Sequence, residues 1–284
     1  MALAYLNGSY LPPAEAKVPA MDRGFLFGDG VYEVVPVYAR RPFRLHEHLH
    51  RLDQSLSSIR LANPHTPAEW ESIVAHLIEA GASDDQQIYI QVTRGIAATR
   101  NHVLPDNPVP TVFAMSDALV PPAPELLRDG IAAVSSVDFR WLRCDIKATS
   151  LLANCLLRQI SADAGCFETV LFRDGILTEG AASNIFIVKD GVLMAPPKNH
   201  LMLPGITYDV VLEIAQANGL PHAVRPVSET EARSADEMLL TSSTREVLPV
   251  VALDGKPVGS GTPGPVARRL AALYQDFKRA VMYG

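Results

Sequence analysis

The stretch that decides the interpretation of this chain is Arg140–Leu152, which reads RWLRCDIKATSLL. A strand-like segment precedes Lys147, and an apolar, helix-like run follows it. We expect a lysine at such a junction to be partly desolvated, which favours the neutral amine that attacks carbonyl groups. Taken alone, however, the segment fits a basic surface edge better. The role of Lys147 therefore depends on the rest of the chain.

The chain has six lysines, and the other five lie in contexts that predict exposure to solvent. They occur in proline-containing loops, beside Asp-Gly turns or on the wet face of a C-terminal helix: Lys17, Lys198, Lys189, Lys256 and Lys278. Elimination among the six leaves Lys147 as the candidate for a lysine that forms a Schiff base.

A carboxylate and two hydroxyl-bearing segments follow Lys147 along the chain. Glu179 precedes a turn of small residues (LTEGAASNIF), and PGITYDVV places Gly205, Ile206 and Thr207 at a predicted helix N-terminus. The segment TSST, residues 241–244, follows a predicted strand. A pyridoxal-phosphate enzyme needs a carboxylate for the pyridine nitrogen and amides, hydroxyls and an arginine for the phosphate. Each signal is weak alone, and their joint presence favours that chemistry.

The pattern of elements predicts an α+β chain with two domains. Leu45, Leu49, Leu52, Leu56 and Ile59 form an apolar helical stripe, whereas Ile88, Ile90 and Val92 alternate as in a strand. The proline-rich stretch 117–125 (DALVPPAPE) is the predicted linker. We place the boundary there, with an N-terminal α/β domain over 1–118 and a larger, β-rich C-terminal domain over 119–284.

Composition excludes several classes of protein. A net charge of −6 argues against a chain built to neutralise phosphate backbones, so no nucleic acid is expected as a partner. Three widely spaced cysteines indicate reduced thiols. The N-terminus lacks the features of a signal peptide, and no uncharged apolar run reaches the roughly 18 residues that span a bilayer. We expect a cytoplasmic protein without a membrane partner.

The sequence resembles the fold-type IV (class IV) pyridoxal-phosphate enzymes, in particular the D-amino-acid aminotransferase group. Seven segments carry the resemblance in the family's order along nearly the whole chain: DRGFLFGDGVYEVV, EHLHRLDQS, IYIQVTRG, RWLRCDIK, LTEGAASNIF, LPGITYDVV and LLTSSTREVLPV. The resemblance implies a homodimer in which pyridoxal 5′-phosphate lies between the two domains, near the subunit interface.

It also implies roles for individual residues. Lys147 would carry the cofactor and move protons, and Glu179 would pair with the pyridine nitrogen. The phosphate and ring would be held by Arg51, Leu203, Gly205, Ile206, Thr207, Ser242 and Ser243. The substrate carboxylate would be bound by Tyr32 and by Arg100 and His102, the last two from a loop of the partner subunit.

The implied reaction moves an amino group from a D-amino acid, such as D-alanine, to a 2-oxo acid, such as 2-oxoglutarate. Branched-chain L-aminotransferases, R-selective amine transaminases and aminodeoxychorismate lyase share the fold and remain alternatives, as does a degenerate, non-enzymatic member. The Arg-x-His pair argues against the branched-chain and R-selective enzymes, and the presence of both Lys147 and Glu179 argues against a degenerate member. Ala181 and Ala182 replace serines common in the D-alanine enzymes, which puts the substrate range in doubt.

The segment 46–50, HEHLH, matches the zinc-protease pattern H-E-x-x-H. No third ligand is apparent, and so short a pattern arises readily by chance in a chain with eight histidines. We interpret these residues as the polar faces of a helix that also carries Arg51, and we predict no metal.

Overall fold

The computed structural model describes residues 3–283, which form two compact units. The first runs to Val120 and includes Ile146–Leu151, and the second comprises Pro121–Asp145 and the chain from Leu152 onward. Ile146–Leu151 joins the first unit because Ala148 forms an antiparallel bridge with Val31. The domain boundary after residue 118 stays a prediction. The segment that carries Lys147 follows that boundary in sequence but packs with the first unit.

The first unit contains a six-stranded antiparallel sheet among its described residues, with strand order β2-β1-β6-β5-β3-β4. Its strands are β1 (Ala4–Leu6), β2 (Ser9–Leu11), β3 (Gly30–Tyr38), β4 (Arg41–Pro42), β5 (Gln86–Thr93) and β6 (Thr111–Ala118). Its helices are the 3-10 turn Pro13–Glu15, α1 (Arg23–Phe27), α2 (Leu45–Ser58) and α3 (Pro67–Ala80).

Helix α2 forms where the apolar spacing predicts it, and α3 forms where Trp70, Ile73, Val74 and Leu77 predict a second apolar helix face over residues 67–80. The predicted stripe of α2 packs into the core of the unit, with Leu52 and Leu56 fully buried. Thr66 caps α3 through a reciprocal capping box with Glu69, and Pro67 occupies the first turn, where its missing N–H costs nothing. Ile88, Ile90 and Val92 of β5 are fully buried, which confirms the predicted alternation.

The second unit contains a larger mixed sheet among its described residues, with the order β12-β11-β10-β13-β14-β7-β8-β9 and β15 paired with β14. Its strands are β7 (Ile131–Val137), β8 (Glu168–Arg173), β9 (Ile176–Gly180), β10 (Asn184–Lys189), β11 (Val192–Ala195), β12 (His222–Val224), β13 (Glu237–Ser242), β14 (Glu246–Leu253) and β15 (Lys256–Pro257). Its helices are α4 (Pro124–Asp129), α5 (Leu152–Asp163), α6 (Ile206–Ala217), α7 (Glu229–Arg233) and α8 (Pro265–Met282). The predicted α+β class is confirmed.

Asp-Gly pairs at residues 174–175 and 190–191, each flanked by apolar segments, predict two hairpins, and Asp-Gly turns join β8 to β9 and β10 to β11 there. Asp174 and Asp190 both have positive φ and are followed by a positive-φ glycine, the conformation that tight hairpins require. Among the described residues, no helix is both long and apolar enough to cross a membrane.

Two local predictions were wrong. The strand-like residues before Lys147 form no strand: β7 ends at Val137, and in the segment that follows the Cys144 amide donates to the His200 carbonyl at 2.8 Å, outside any ladder. Lys278 does not lie on a wet face: its Nζ donates to Glu246 Oε1 at 2.7 Å, and its side chain is 12% exposed.

Candidate active site

Lys147 lies in irregular backbone pinned to the first unit on both sides. The amide of Tyr32, on β3, donates to the Lys147 carbonyl at 2.9 Å, and the Lys147 amide donates to Ser55 Oγ of α2 at 3.3 Å. The side chain is half-buried, and its Nζ lies 4.2 Å from the centroid of the Tyr32 ring. The structure therefore brings together two predicted site residues, Lys147 and Tyr32, beside strand β3.

Arg51 is fixed by a buried carboxylate that the sequence reasoning did not single out. Glu33 accepts from Arg51 Nε at 2.7 Å and from its terminal nitrogen at 2.8 Å. Although burial opposes ionisation, the Arg51 guanidinium and the His48 ring hold the pKa of Glu33 well below its usual range. The Arg51 guanidinium is thus oriented by a charge-assisted fork before any ligand binds.

His48 completes this cluster from the same helix face. Burial lowers the pKa of His48, which favours the neutral ring, and Nδ1 lies 2.8 Å from a carboxylate oxygen of Glu33. Its Nε2 is buried and has no hydrogen-bond partner within residues 3–283. The Lys147 amine is close enough to disfavour a charge on this ring.

In the second unit, Glu179 lies near the end of β9 in a fully enclosed setting. Its carboxylate accepts a short hydrogen bond from Arg140 and further bonds at 3.1 Å from Asn184 Nδ2 and from the Leu203 amide. Burial raises the pKa of Glu179 to about 7, although Arg140 and the Leu203 amide oppose the shift. A second cation beside Glu179, in addition to Arg140, would favour the ionised form of its carboxyl group.

Arg140 positions Glu179 from a loop. Its guanidinium also binds Asp138 through two bonds of 2.9 Å, so its charge is shared between two carboxylates. Burial of such a network is tolerated only when every member is paired. Arg140 begins the motif RWLRCDIK, seven residues before Lys147, and its place in that motif was the signal that could have identified it.

Gly205 caps the N-terminus of α6, where the sequence predicted an anion site. The backbone amides of Ile206 and Thr207 lie in the first turn of this helix, where amides have no acceptor four residues earlier within the helix. A Cβ on Gly205 would lie 2.0 Å from Asn184 Oδ1, so glycine is required for the backbone to pass the residue that binds Glu179. Leu203, whose amide contacts Glu179, precedes this turn.

Helix α6 packs on β13, whose final residue is Ser242. Ser242 Oγ accepts from the Arg245 amide at 3.1 Å, and the side chains of Ser242 and Ser243 are half-buried. The first-turn amides with the helix dipole, and the hydroxyls at the end of β13, are each of the kind that binds a phosphate.

Arg100 and His102 lie on an exposed loop of the first unit. Within residues 3–283 no hydrogen bond or ion pair joins their side chains to Tyr32 or Lys147. Both instead lie against the ring of Phe27: the Arg100 guanidinium carbon is 5.0 Å from its centroid, and the His102 ring centroid is 5.2 Å away.

His46 and His50 of the H-E-x-x-H pattern lie one turn apart on the same face of α2. His46 and His50 are exposed, and His50 Nε2 lies 3.0 Å from Gln54 Nε2, whereas Glu47 binds Arg44 at 2.7 Å. Within the described chain no group of three or more metal-binding side chains gathers here or elsewhere.

Comparison of the chain with known proteins matches it to a family. The model of the amino-transferase class IV family covers residues 30–253. The D-alanine aminotransferase of Bacillus licheniformis is 38% identical over 95% of each chain, and that of Staphylococcus aureus (strain MW2) is 36% identical over 98% of each.

Solved structures share the fold. The branched-chain aminotransferase of Thermoproteus uzoniensis, solved with norvaline, has a TM-score of 0.87 at 25% identity, covering 100% of this chain and 96% of its own. The branched-chain amino acid aminotransferase of Escherichia coli has a TM-score of 0.86 at 26% identity, covering 98% and 93%. The chain therefore belongs to the class IV aminotransferase family. It is an aminotransferase that depends on pyridoxal phosphate.

Proposed function

We propose that this enzyme transfers the amino group of a D-amino acid, with D-alanine as the reference donor, to a 2-oxo acid such as 2-oxoglutarate. The observation that carries the proposal is the pair formed by the half-buried Lys147 amine and the Tyr32 ring, 4.2 Å apart. The D-alanine aminotransferases, at 36–38% identity, support the choice of donor.

The residues present fit pyridoxal 5′-phosphate. Lys147 would carry the cofactor, and Arg51 would contact its phosphate. Glu179 would pair with the pyridine nitrogen, and the phosphate would also be bound by the Ile206 and Thr207 amides, with Gly205, Ser242 and Ser243 shaping the turn and Leu203 packing beside the ring. When bound, the cofactor acts as the electron sink for the bond broken at the substrate Cα.

Lys147 would move the proton at the substrate Cα, since its amine is the base that the described residues supply there. Its position over the Tyr32 ring limits the directions from which the amine reaches the substrate. Glu179, with its raised pKa, would ionise beside a protonated ring nitrogen and stabilise that proton.

Tyr32, Arg100 and His102 would bind the substrate carboxylate. An arginine clamps a carboxylate through two parallel bonds, and the Tyr and His side chains add directional donors. The exposure of Arg100 and His102 fits their proposed use in the active site of a partner subunit.

A homodimer is part of the proposal. Leu152, Leu156 and Ile160 are spaced four apart on α5 and are 75%, 53% and 38% exposed. Phe139, Trp141 and Leu142, on the loop before Lys147, are also exposed. Exposed apolar surface on this scale is typical of a protein interface, and a second copy of the chain is the partner we propose.

A screen of chiral amino donors tests the function. With 2-oxoglutarate as acceptor, D-alanine should yield pyruvate and D-glutamate, while L-leucine and L-valine should react far more slowly. Turnover of the L-amino acids alone would instead make the protein a branched-chain aminotransferase, and pyruvate release from aminodeoxychorismate would make it a lyase.

A variant tests the carboxylate site separately. Replacement Arg100→Ala should raise the KM for D-alanine while the protein keeps its bound cofactor. Replacement Arg143→Ala is the control, because Arg143 is exposed and pairs with Asp145. An unchanged KM in Arg100→Ala would place Arg100 outside the carboxylate site.

A further inference from the structure

The loop that carries Arg100 and His102 is held by an arginine of the short helix α1. The Arg23 guanidinium donates to the Asn101 carbonyl at 2.5 Å and reaches the His102 and Val103 carbonyls at 3.4 Å. Arg23 is 3% exposed, so these bonds form away from water. One side chain thus fixes three consecutive carbonyls of an otherwise exposed loop.

Asp29 anchors Arg23 to the body of the unit. Its Oδ2 accepts from Arg23 Nε at 2.7 Å and from Arg94 Nε at 2.9 Å. Arg94 in turn donates to the carbonyls of Ile59 and Arg60, just beyond the end of α2. Burial opposes ionisation, yet hydrogen bonds from Arg94 and Arg23 hold the pKa of Asp29 below its usual value. The loop is therefore tied to the sheet and to α2 through ionised groups.

Phe27 supplies the surface on which the two loop side chains rest. Its ring centroid lies 4.8 Å from the Arg23 guanidinium carbon, 5.0 Å from that of Arg100 and 5.2 Å from the His102 ring. Contacts between cations and an aromatic face favour this stacking without using any N–H donor. Within residues 3–283 the Arg100 and His102 side chains make no hydrogen bond or ion pair, so their donors remain available for an anion.

The charges in this cluster favour an anionic ligand at Arg100. Asp29 lies between Arg23 and Arg94 and offsets part of their charge, whereas the described residues give Arg100 no carboxylate partner. A loop held in one conformation before binding also avoids the entropy cost of ordering it with each substrate.

We propose that Arg23, Asp29 and Phe27 are positioning residues that hold Arg100 and His102 in the arrangement that binds the substrate carboxylate. This inference rests on the proposed function. None of the three touches the reacting atoms, and they act through the backbone of residues 101–103 and through the stacked side chains.

Kinetics of the cofactor-loaded enzyme test the proposal. Replacements Arg23→Met and Phe27→Leu should raise the KM for D-alanine roughly 10- to 100-fold, because a small misplacement of a binding group costs about that much. The kcat should change less than about threefold, as expected when only substrate binding is lost. Replacement Phe25→Leu is the matched control, since Phe25 lies on the same helix with its side chain 76% exposed.

Two readouts other than turnover accompany the kinetics. Propionate, a carboxylate without an amino group, should bind Arg23→Met more weakly than wild type in a calorimetric titration. Hydrogen exchange of the amides in residues 100–104 should be faster in Arg23→Met, and Arg23→Lys should restore little, because an ammonium cannot span three carbonyls. If Arg23→Met fails to fold, the proposal is tested with Phe27→Leu, because this variant keeps the hydrogen bonds of Arg23.

Wild-type turnover of D-alanine with unchanged KM values in Arg23→Met and Phe27→Leu would overturn this inference alone. So would a fall in kcat without any change in KM or in propionate binding. A wild-type enzyme that does not accept D-alanine would overturn the proposed function and this inference together.

Discussion

Glu33 holds Arg51 by two bonds of 2.7 and 2.8 Å, with both side chains buried. This pair links strand β3, which carries Tyr32, to helix α2. Glu33 therefore orients Arg51, the residue proposed to contact the cofactor phosphate. Glu33 also follows directly after Tyr32, which is proposed to contact the substrate.

Replacement Glu33→Gln should weaken binding of pyridoxal phosphate about 10- to 100-fold, the range that corresponds to a charge-assisted hydrogen bond. An absorbance titration of the cofactor-free protein measures this. The same variant removes the ionised Glu33 from beside the buried Arg51 and should lower the free energy of unfolding by about 3–5 kcal/mol.

The matched control for Glu33→Gln is Glu47→Gln on α2, where the glutamate pairs with Arg44 and is half-exposed. An exposed pair contributes about 0–1 kcal/mol, so this variant should bind the cofactor as the wild type does. Equal affinity for the cofactor in Glu33→Gln and wild type would show that Glu33 does not orient Arg51 for the phosphate.

Glu33 and His48 illustrate what the sequence could not provide. The apolar stripe of α2 predicts which face is buried, and the family motifs indicate Arg51, but neither indicates that Glu33 and His48, 15 residues apart in sequence, meet. Pairing of a strand with the helix that follows it creates that contact. The same holds for Arg140 and Glu179, which are 39 residues apart and meet only once the sheet has formed.

The regular elements were more accessible to prediction. The spacing of apolar residues identified α2, α3 and β5, and Asp-Gly pairs identified two hairpins, because these signals act over a few residues. The segment before Lys147 was predicted to be strand-like, and the backbone around Lys147 is irregular. Its conformation depends on bonds to Ser55 and Tyr32, which lie far away along the chain.

The raised pKa of Glu179 predicts a dependence of stability on pH. Its ordinary value is 4.5, and its folded value is about 7. Between these two pH values the folded state binds more protons than the unfolded state. The stabilisation of the folded state by protonated Glu179 is therefore fully present below pH 4.5 and is lost as the pH rises through 7. The shift corresponds to about 3 kcal/mol.

Urea unfolding of the cofactor-free wild type and of Glu179→Gln at about pH 5 and about pH 8 measures this contribution. The glutamine stays neutral at both pH values. The free energy of unfolding of the variant should therefore rise by up to about 3 kcal/mol relative to that of the wild type between about pH 5 and about pH 8. Glu125→Gln, an exposed site, should show no such gain. A difference between Glu179→Gln and wild type that is the same at both pH values would contradict the raised pKa.

The exposed stripe on α5 predicts the effect of a charge on assembly. Replacement Leu156→Glu should weaken dimerisation, because an unpaired charge in an apolar interface costs several kcal/mol. Sedimentation velocity over a range of protein concentrations measures the shift towards monomer. Ala162→Glu, exposed on another face of the same helix, should leave the sedimentation coefficient unchanged. Identical behaviour of both variants would remove this stripe from the proposed interface.

Lys147 gives the most direct test of the cofactor. The purified protein should be yellow and show an absorption band of protein-bound pyridoxal phosphate, and Lys147→Ala should lose that covalently bound band, since the described residues place no other amine beside Tyr32. Lys256→Ala is the control, because Lys256 is exposed next to an Asp-Gly turn and should leave the band intact. Treatment with borohydride followed by peptide mass mapping should then locate the added pyridoxyl group on the peptide that contains Lys147. A label on any other lysine, or a wild-type protein that gains no band with added cofactor, would refute the assignment of Lys147.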